Sequence, residues 1–317
     1  DTFMEEALYS DLGFFNTVQV RSDKEGDFLT SPEVSKYFGK IIRNWIHSES
    51  NLKNIIEIGS GTGSLIEQIG IKEITAVELS STAREELIKK GIDTHTTIDE
   101  LTTKTSDLIF GNEILDNIPC SIGLYKDEGW YEKVVLLEEN SLAYGLRPIR
   151  NEELDWINKN NIVPNEDYEF EIQVNIDKFL NSVIKKINPE KILLFDYGYE
   201  QKNRNKRMYS SFLRTYKNHH LSVDPIDDPG NIDITYDVNF SSISSELKYL
   251  GYDVTLKLQR DFLLDNGFNI FFDELQEKYI AAEGIEKLKI NSELNGMKAI
   301  VDSNGLGGFY CLIAEKL

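Results

Sequence analysis

Residues 54–66 read Asn-Ile-Ile-Glu-Ile-Gly-Ser-Gly-Thr-Gly-Ser-Leu-Ile, an apolar run followed by three glycines at alternate positions. The β-branched Ile55, Ile56 and Ile58 are typical of a strand that is buried on both faces of a parallel sheet. Apolar residues return at helical spacing from Leu65 onward, which predicts a helix directly after the glycines. Glycine accepts positive φ and lets a ligand approach the backbone, while a helix start offers free N–H groups. The stretch therefore predicts a strand, a ligand-binding turn and a helix.

The spacing of the glycines distinguishes two kinds of nucleoside ligand. A dinucleotide site requires Gly-x-Gly-x-x-Gly/Ala, but here Gly63 comes one place early and Ser64 occupies the required position. The observed pattern, Glu57-x-Gly59-x-Gly61-x-Gly63, instead resembles the first motif of methyltransferases that depend on S-adenosylmethionine (SAM). In that motif the glycines flank the amino-acid half of the cofactor. A structural turn that binds no ligand is the alternative.

Strand-like and helix-like runs continue to alternate after the glycines. Glu78 ends the next strand-like run, 21 residues after Glu57, close to the interval at which an acidic side chain reaches ribose hydroxyls. Three further runs follow: a capped helix over 80–90 and strands over 93–97 and 107–111. This alternation predicts parallel strands joined by right-handed crossovers, with ligands outside the carboxyl ends of the strands.

Residues 112–119 leave the carboxyl end of the strand over 107–111 and carry two acids. Glu113 and Asp116 are three residues apart, so in a helix they would share one face. Carboxylates orient an amine or a guanidinium through charge-assisted hydrogen bonds, and a methyl acceptor has to be held in line with the cofactor and away from water. Both acids are therefore predicted to be catalytic, although acids at a helix N-terminus are also favoured by the helix dipole alone.

The length and charge limit the class of protein. With 317 residues, one α/β core with inserted or flanking pieces is expected. The net charge of −20 opposes binding to a polyanion, so no nucleic-acid partner is expected. It would attract a cationic partner, although an acidic surface that only aids solubility is the commoner explanation.

Cysteine, histidine and apolar residues are also informative. The two cysteines, Cys120 and Cys311, exclude a disulfide scaffold and favour a reducing compartment. His219 and His220 are adjacent and lack companions at ligand spacing, so no metal site is predicted. No apolar run approaches the ~18 residues of a membrane span, and residues 1–6 show no signal pattern. The predicted location is the cytoplasm if the protein is bacterial, or the mitochondrial matrix if it is eukaryotic.

The rest of the chain predicts pieces added to the core. A helical segment covers 1–50, with Thr30 or Ser31 capping a helix that packs on the core. Alternating β runs over 121–148, with turns at 127–129 and 139–140, predict a meander. The other predicted elements are helices over 151–160, 176–187, 241–250 and 269–288 and strands over 191–198, 252–258 and 309–314. The expected division is 1–50, 51–120, 121–190 and 191–317, with a loop over 199–240 on the substrate side.

These motifs together resemble the MidA family, which includes the mitochondrial arginine methyltransferase that helps to assemble respiratory complex I. The resemblance runs along nearly the whole chain, through Gly26-Asp27-Phe28-x-Thr30-Ser31-Pro32-Glu33, Phe38-Gly39, the glycine turn, Asn112-Glu113-x-x-Asp116, Asp196-Tyr197-Gly198-Tyr199, Asp224-Pro225, Pro229-Gly230 and Asp233-Ile234-Thr235.

Three departures from the family pattern affect the site. Gly-Ser-Gly-Thr-Gly at 59–63 replaces the usual Gly-Pro-Gly-Arg-Gly, which leaves SAM binding intact. Asp237 stands where family members often carry histidine, so the histidine cannot act as an acid or base here. At 112–119 the amide and both acids are kept, but the usual aromatic pair is lost, which predicts a reshaped acceptor pocket.

The resemblance implies a class I SAM-dependent methyltransferase. Its expected fold is an α/β, Rossmann-like sheet of seven strands with the last strand antiparallel, an N-terminal helical cover and an inserted meander with helices. The acceptor would be an arginine on a protein substrate, such as a respiratory-complex subunit, and a homodimer is allowed. The residues expected to bind SAM are Thr30, Ser31, Glu57, Gly59, Ser60, Gly61, Thr62, Gly63, Glu78, Leu79, Thr97, Ile98 and Asn112. Within this set, Thr97 and Ile98 would contact the adenine edge.

Two alternatives stay open, the first of them from another class. The first is a non-catalytic assembly factor that binds SAM or its product and holds a partner protein with the inserted region. The second is a methyltransferase that acts on a small molecule.

Overall fold

The computed structural model describes residues 1–16, 30–49, 52–139, 141–206, 213–217, 220–221 and 224–317. Its α-helices, in chain order, are α1 Thr2–Tyr9, α2 Ser31–Val34, α3 Tyr37–Ser48, α4 Ser64–Ile69, α5 Ser81–Lys89, α6 Asn151–Lys159, α7 Val174–Ile187, α8 Phe240–Tyr249, α9 Gln259–Asp265, α10 Phe268–Ala281 and α11 Gly284–Val301. Short 3-10 turns lie at Phe14–Asn16, Ile98–Glu100, Gln201–Lys206 and Leu306–Gly308.

The strands are β1 Ile55–Ile58, β2 Ile74–Val77, β3 Asp93–His95, β4 Leu108–Asn112, β5 Ser121–Lys126, β6 Gly129–Glu138, β7 Ser141–Pro148, β8 Glu169–Ile172, β9 Lys191–Asp196, β10 Gly198–Tyr199, β11 Leu213–Lys217, β12 His220–Leu221, β13 Asp233–Tyr236, β14 Val238–Asn239, β15 Tyr252–Leu258 and β16 Tyr310–Lys316.

A seven-stranded sheet forms the centre of the molecule, in the order β15-β16-β9-β4-β1-β2-β3. All neighbouring strands pair in parallel except β16, which runs antiparallel to both β9 and β15. The predicted sheet, with its last strand antiparallel beside the fifth core strand, is confirmed. Strand order reverses between β1 and β4, and this is the point at which open α/β sheets bind ligands.

Helices cover both faces of this sheet because its strands alternate their side chains between two apolar clusters. In β9, for example, Leu193 and Phe195 pack with α3 and α4 on one face, while Ile192 and Leu194 pack with α7 and α8 on the other. The β-branched and aliphatic runs in the sequence are therefore explained by double-sided burial.

The inserted region is an antiparallel sheet in the order β7-β6-β5-β8. The predicted meander over 121–148 is confirmed as β5, β6 and β7, and its second turn includes Asn140, which lies outside the described residues. The fourth strand, β8, was not predicted, because its four residues follow a polar stretch and pair with β5 from a distance in the sequence. The predicted helices over 151–160 and 176–187 are present as α6 and α7.

Three local predictions were wrong. The helix predicted after Ser31 is divided at Ser35 and Lys36 into α2 and α3, because Ser35 adopts an extended conformation. Residues 113–119 form turns rather than a helix. The single helix predicted over 269–288 is two helices, α10 and α11, and α9 precedes them without having been predicted.

Parts of the sequence argument fall on residues that the structure does not describe. These are residues 26–29 of the Gly-Asp-Phe-x-Thr-Ser-Pro-Glu motif and His219 of the histidine pair. Among the helices that are described, none combines the length and apolarity needed to cross a bilayer.

Candidate active site

A cavity of about 530 Å³ opens at the carboxyl ends of β1, β2 and β4. Three parts of the chain line it: the glycine wall, the acidic turn and the N-terminal wall. The glycine wall consists of lining residues within 57–65 and 77–83, the acidic turn consists of those within 112–119, and the N-terminal wall consists of Glu5, Tyr9, Phe15, Thr30, Pro32 and Glu33. Phe179 of α7 also contacts the cavity.

The shape of the glycine wall depends on backbone conformations and close contacts that favour glycine. Gly59 and Gly61 have φ of +70° and +52°, in the left-handed region that favours glycine. A Cβ at Gly59 would also overlap the side chain of Ile114 in the acidic turn. Only glycine therefore allows these two segments to lie so close together. The predicted turn between strand and helix is therefore present, and it lines the cavity.

Glu78 links the two halves of the glycine wall. Its Oε2 accepts a hydrogen bond from the N–H of Gly61 at 2.8 Å, and its Oε1 accepts one from the N–H of Ser80 at 2.7 Å. Burial raises the pKa of Glu78 above its ordinary value, although these hydrogen bonds act in the opposite direction. A carboxylate has about four acceptor positions, and the N–H groups of Gly61, Ser80 and Leu79 use three of them, which leaves one for a hydroxyl donor of a ligand.

Glu57 is the most buried acid of the cavity, with 2% of its surface exposed. Its Oε2 has no hydrogen-bond partner among the residues that the structure describes, and burial raises its pKa well above the ordinary range. A buried carboxylate oxygen without a partner is costly. A ligand that brings a donor or a positive charge to this position would relieve that cost.

Four residues predicted to bind the cofactor do not line the cavity: Gly63, Thr97, Ile98 and Ser31. Gly63 lies behind the turn, where a Cβ would meet Leu87 at 2.7 Å, so it serves the packing of α4 against α5. Thr97 and Ile98 are also away from the cavity, because Ile98 begins a 3-10 turn and packs against the apolar cluster of Ile56 and Ile109. The other predicted lining residues of this wall, Ser60, Thr62 and Leu79, are at the cavity.

Ser31 acts from behind the cavity rather than in it. Its side chain is fully buried, and its Oγ donates to Oε1 of Gln259 at 3.2 Å. Its backbone N–H donates to Oε1 of Glu113 at 3.4 Å. Thr30, by contrast, lines the cavity as predicted. The Thr-Ser-Pro-Glu segment thus positions Glu113, a role that local sequence could not distinguish from a helix cap.

Glu113 is the central residue of the acidic turn. It has φ of +53°, a strained conformation for a residue with a side chain, and its N–H donates to the carbonyl of Phe195 at 2.8 Å. Its Oε1 accepts from Nδ2 of Asn112 at 3.0 Å as well as from Ser31. Oε2 receives no hydrogen bond from the described residues, so it is available to a ligand in the cavity.

The pKa of Glu113 is strongly perturbed. Burial, reinforced by repulsion from Asp116, raises it to about 8, while the hydrogen bonds from Asn112 and Ser31 lower it. The carboxyl group therefore titrates close to neutral pH. Perturbed pKa values in a cleft are typical of functional sites.

Asp116 does not reach the cavity, so the prediction that the two acids share one helical face is wrong. Because 113–119 is a series of turns, Asp116 points into the protein, where it accepts hydrogen bonds from the hydroxyls of Tyr197 and Thr235. The guanidinium of Arg214 lies 4.4 Å from the centre of the Tyr197 ring and pairs with Asp237. Asp116 acts on Glu113 only through its charge.

Asp196 fixes the acidic turn from below. This fully buried carboxylate accepts hydrogen bonds from the N–H groups of Leu115 at 2.8 Å and Asp116 at 3.3 Å through Oδ2, and from that of Tyr197 through Oδ1. The turn is thereby held to the end of β9, which gives Glu113 a fixed position.

The N-terminal wall contains residues that sequence reasoning missed. Glu5, Tyr9 and Phe15 come from α1 and the following 3-10 turn, and Glu33 lies in the first turn of α2. Asn117 of the acidic turn was also missed. Glu5 and Tyr9 lie four residues apart on one helix, but nothing in the sequence shows which way that helix faces.

The cavity is strongly acidic. Five carboxylates line it, those of Glu5, Glu33, Glu57, Glu78 and Glu113, and none of its described lining residues is lysine, arginine or histidine. Nor does the described part of the chain hold a cluster of three or more histidine, cysteine, aspartate or glutamate side chains able to bind a metal. The arrangement suits a cationic ligand.

Comparisons with known proteins agree with this geometry. A family model for S-adenosyl-L-methionine-dependent methyltransferases matches residues 39–255. The mitochondrial protein arginine methyltransferase NDUFAF7 homologue of Caenorhabditis elegans is 25% identical over 314 residues, which cover 84% of this chain and 71% of that protein. The corresponding Drosophila melanogaster protein is 23% identical over 69% of this chain and 60% of its own length.

A solved structure shares the fold. A crystal structure from Burkholderia thailandensis, which contains S-adenosyl-homocysteine, superimposes with a TM-score of 0.85 at 22% sequence identity. The match covers 100% of this chain and 87% of that chain. At this identity the likeness establishes the fold.

Proposed function

The chain belongs to the family of S-adenosyl-L-methionine-dependent methyltransferases, and we propose that it methylates an arginine side chain of a protein substrate. The family assignment agrees with the resemblance found in the sequence. The proposal that the methyl acceptor is an arginine goes beyond the family assignment. The acidic lining of the cavity is the observation that supports it.

SAM is the cofactor of this family, and the glycine wall fits it. The glycine-dependent shape of the turn over 59–62 suits the amino-acid half, and the unpartnered Oε2 of Glu57 suits its ammonium group. Glu78 has an acceptor position left for a ribose hydroxyl. The cofactor supplies an electrophilic methyl group on a sulfonium centre.

The acidic turn and the N-terminal wall fit a cationic acceptor. A guanidinium carries a positive charge and five N–H donors in one plane, which match carboxylate oxygens in pairs. The free Oε2 of Glu113 would receive one of these donors, and its bonded Oε1 fixes the orientation of the carboxylate. Glu33 and Glu5 add negative charge on the opposite wall.

Glu113 has two roles in this proposal. It orients the acceptor nitrogen, and it stabilises the positive charge that would otherwise be repelled by the charged cofactor. Methylation of a guanidinium would form one N–C bond as the S–CH3 bond of the cofactor breaks, would leave the neutral thioether S-adenosylhomocysteine, and would release one proton from the same nitrogen. The pKa of about 8 is set by the protein groups around Glu113 alone. A guanidinium beside Glu113 would lower this pKa and favour the carboxylate, which could then accept the released proton before it leaves to solvent.

A non-catalytic assembly factor is the alternative from another class. It would bind SAM in the same glycine wall but would not use the free oxygen of Glu113. A methyltransferase for a small amine or guanidine is the second alternative, since the acidic lining does not by itself require a protein.

One assay distinguishes these functions. The protein is incubated with SAM and a library of peptides with a central arginine, a matched library with lysine, and free arginine, and products are identified by mass spectrometry. Methylated arginine peptides support the proposal. Methylated free arginine alone indicates a small-molecule enzyme. Measurable SAM affinity with no methylated product in any arm would overturn the catalytic assignment.

A further inference from the structure

The N-terminal wall contains a stacked aromatic pair. The rings of Tyr9 and Phe15 lie with centroids 5.5 Å apart and planes inclined by 22°. Both side chains line the cavity, and both keep part of their surface exposed there. An aromatic surface next to carboxylates is a recognised way to bind organic cations.

A tight turn holds the pair in place. Gly13 allows the chain to fold back on α1, since a Cβ there would lie 2.6 Å from the backbone of Leu8. Asn16 then donates from Nδ2 to the carbonyl of Tyr9 at 2.9 Å. The fully buried Phe14 meets Phe15 edge to face at 5.2 Å. The two rings therefore belong to one packed unit.

The pair is attached to the acidic turn. The hydroxyl of Tyr9 donates to the carbonyl of Asn117 at 3.1 Å, four residues after Glu113. Asn117 is fixed in turn, because its Nδ2 donates to Oδ1 of Asp233 at 3.0 Å and to the carbonyl of Ile234 at 3.1 Å. The side chain of Tyr9 is thus bonded to the acidic turn and its carbonyl to Asn16.

A carboxylate lies beside the ring. Glu5 precedes Tyr9 by four residues in α1, so the two side chains are neighbours on one helical face, and both line the cavity. Burial, together with the negative charges of Asp116, Asp233 and Glu78, raises the pKa of the Tyr9 hydroxyl far above its usual range. The ring therefore stays neutral and can contact a cation.

We propose that Tyr9 and Phe15, with Glu5, form an acceptor subsite that selects a planar guanidinium over an ammonium group. The inference rests on the proposed function, because it names the groups that would recognise the arginine. A guanidinium can stack on a ring while its edge meets a carboxylate, whereas an ammonium is more strongly hydrated and has no flat face.

The test measures binding, so it does not depend on turnover. Three probes are titrated calorimetrically in the presence of S-adenosylhomocysteine: N-acetyl-arginine methylamide, the lysine analogue, and the citrulline analogue, which is planar but neutral. The wild-type protein should bind the arginine probe more tightly than the other two. Tyr9→Leu should weaken arginine binding by about three- to thirty-fold while leaving S-adenosylhomocysteine affinity unchanged, and Tyr9→Phe should recover most of the loss.

Tyr249→Leu is the matched control, because this tyrosine of α8 is 85% exposed and does not line the cavity. Equal loss of arginine and lysine binding in Tyr9→Leu would overturn the proposal, because the ring would then not discriminate. A loss of S-adenosylhomocysteine affinity would also overturn it and assign the pair to the cofactor. Should Tyr9→Leu unfold, Phe15→Leu gives the same comparison.

The two proposals can fail separately. If arginine peptides are not methylated while the arginine probe still binds through Tyr9, catalysis fails and the subsite stands. If they are methylated but Tyr9→Leu binds all three probes as the wild type does, the subsite fails and the proposed function stands.

Discussion

The glycine wall and the N-terminal wall face the same cavity but are built in different ways. The glycine wall comes from two short continuous stretches, 57–65 and 77–83. A backbone N–H group of each stretch donates a hydrogen bond to the carboxylate of Glu78. The N-terminal wall is assembled from α1, the 3-10 turn and α2, and it offers side chains: two rings and two carboxylates.

This difference separates what the two walls can recognise. A backbone cradle tolerates changes of side chain and suits a ligand shared by a whole family. A surface of side chains changes its chemistry with each substitution, which suits a ligand that differs between members. Variants in the two walls should therefore affect cofactor and acceptor separately.

Gly61→Val should produce the largest effect. Valine is β-branched, and at φ of +52° it would be strained and would project from the turn that lines the cavity. We expect SAM affinity to fall by at least about a hundredfold, equivalent to about 3 kcal/mol. Isothermal titration with SAM measures this directly.

Gly91→Val is the matched control. Gly91 also has positive φ, but a Cβ there would meet no atom within 4 Å, and the residue lies outside the cavity. It should lose stability without losing SAM affinity. If Gly61→Val still bound SAM normally, the glycine wall would not be the cofactor site.

Glu113→Gln, in the acidic turn, should separate acceptor binding from cofactor binding at the glycine wall. The amide keeps the size of the side chain but loses the charge that would orient and neutralise a guanidinium. We expect kcat/KM for an arginine peptide to fall by about a hundredfold or more, with SAM affinity unchanged. Steady-state kinetics and titration of the same preparation give both values.

Glu6→Gln on the exposed side of α1 provides the control for loss of one negative charge. Equal losses of SAM affinity and turnover in Glu113→Gln would place Glu113 with the cofactor and remove the proposed division between the walls.

A smaller effect concerns stability. The folded-state pKa of Glu113, about 8, lies above the ordinary value of 4.5. The protonated form therefore stabilises the fold fully below pH 4.5, and this contribution is lost as pH rises toward 8. Relative to wild type, Glu113→Gln should gain roughly 4 kcal/mol in free energy of unfolding between pH 5 and pH 9.

Denaturant titrations of both proteins at several pH values measure this difference. A constant difference across the range would mean that Glu113 does not titrate near neutrality in the folded protein. The stability gain and the expected loss of turnover would together show that the charge is kept for function.

The two walls also differ in how far sequence predicts them. The strand, the glycine turn and Glu78 were predicted because their signals are local: β-branched residues, glycine spacing and an acid at a strand end. The sheet followed from the alternation of elements. Thr30 is the one residue of the N-terminal wall that was predicted to bind the cofactor. The rest of this wall depends on where α1 and α2 pack, and that packing involves distant residues such as Gln259, which bonds Ser31.

Asp116 shows the same limit inside a predicted motif. Its spacing from Glu113 indicated a shared face only if the segment were helical. Asp196 instead holds the segment in turns through the N–H groups of Leu115 and Asp116, which directs the Asp116 side chain to Tyr197 and Thr235. That interaction spans some 80 residues, and no local pattern contains it.

The backbone character of the glycine wall has a consequence for descent. Ser60 and Thr62 lie between the glycines, and the hydrogen bonds of their side chains stay within the turn: Ser60 bonds the carbonyl of Glu57, and Thr62 bonds Ser64. Substitutions at these two positions can therefore accumulate while the shape of the turn is retained. The evolutionary relationship between such loops is better judged from the positions of their glycines than from their overall sequence identity.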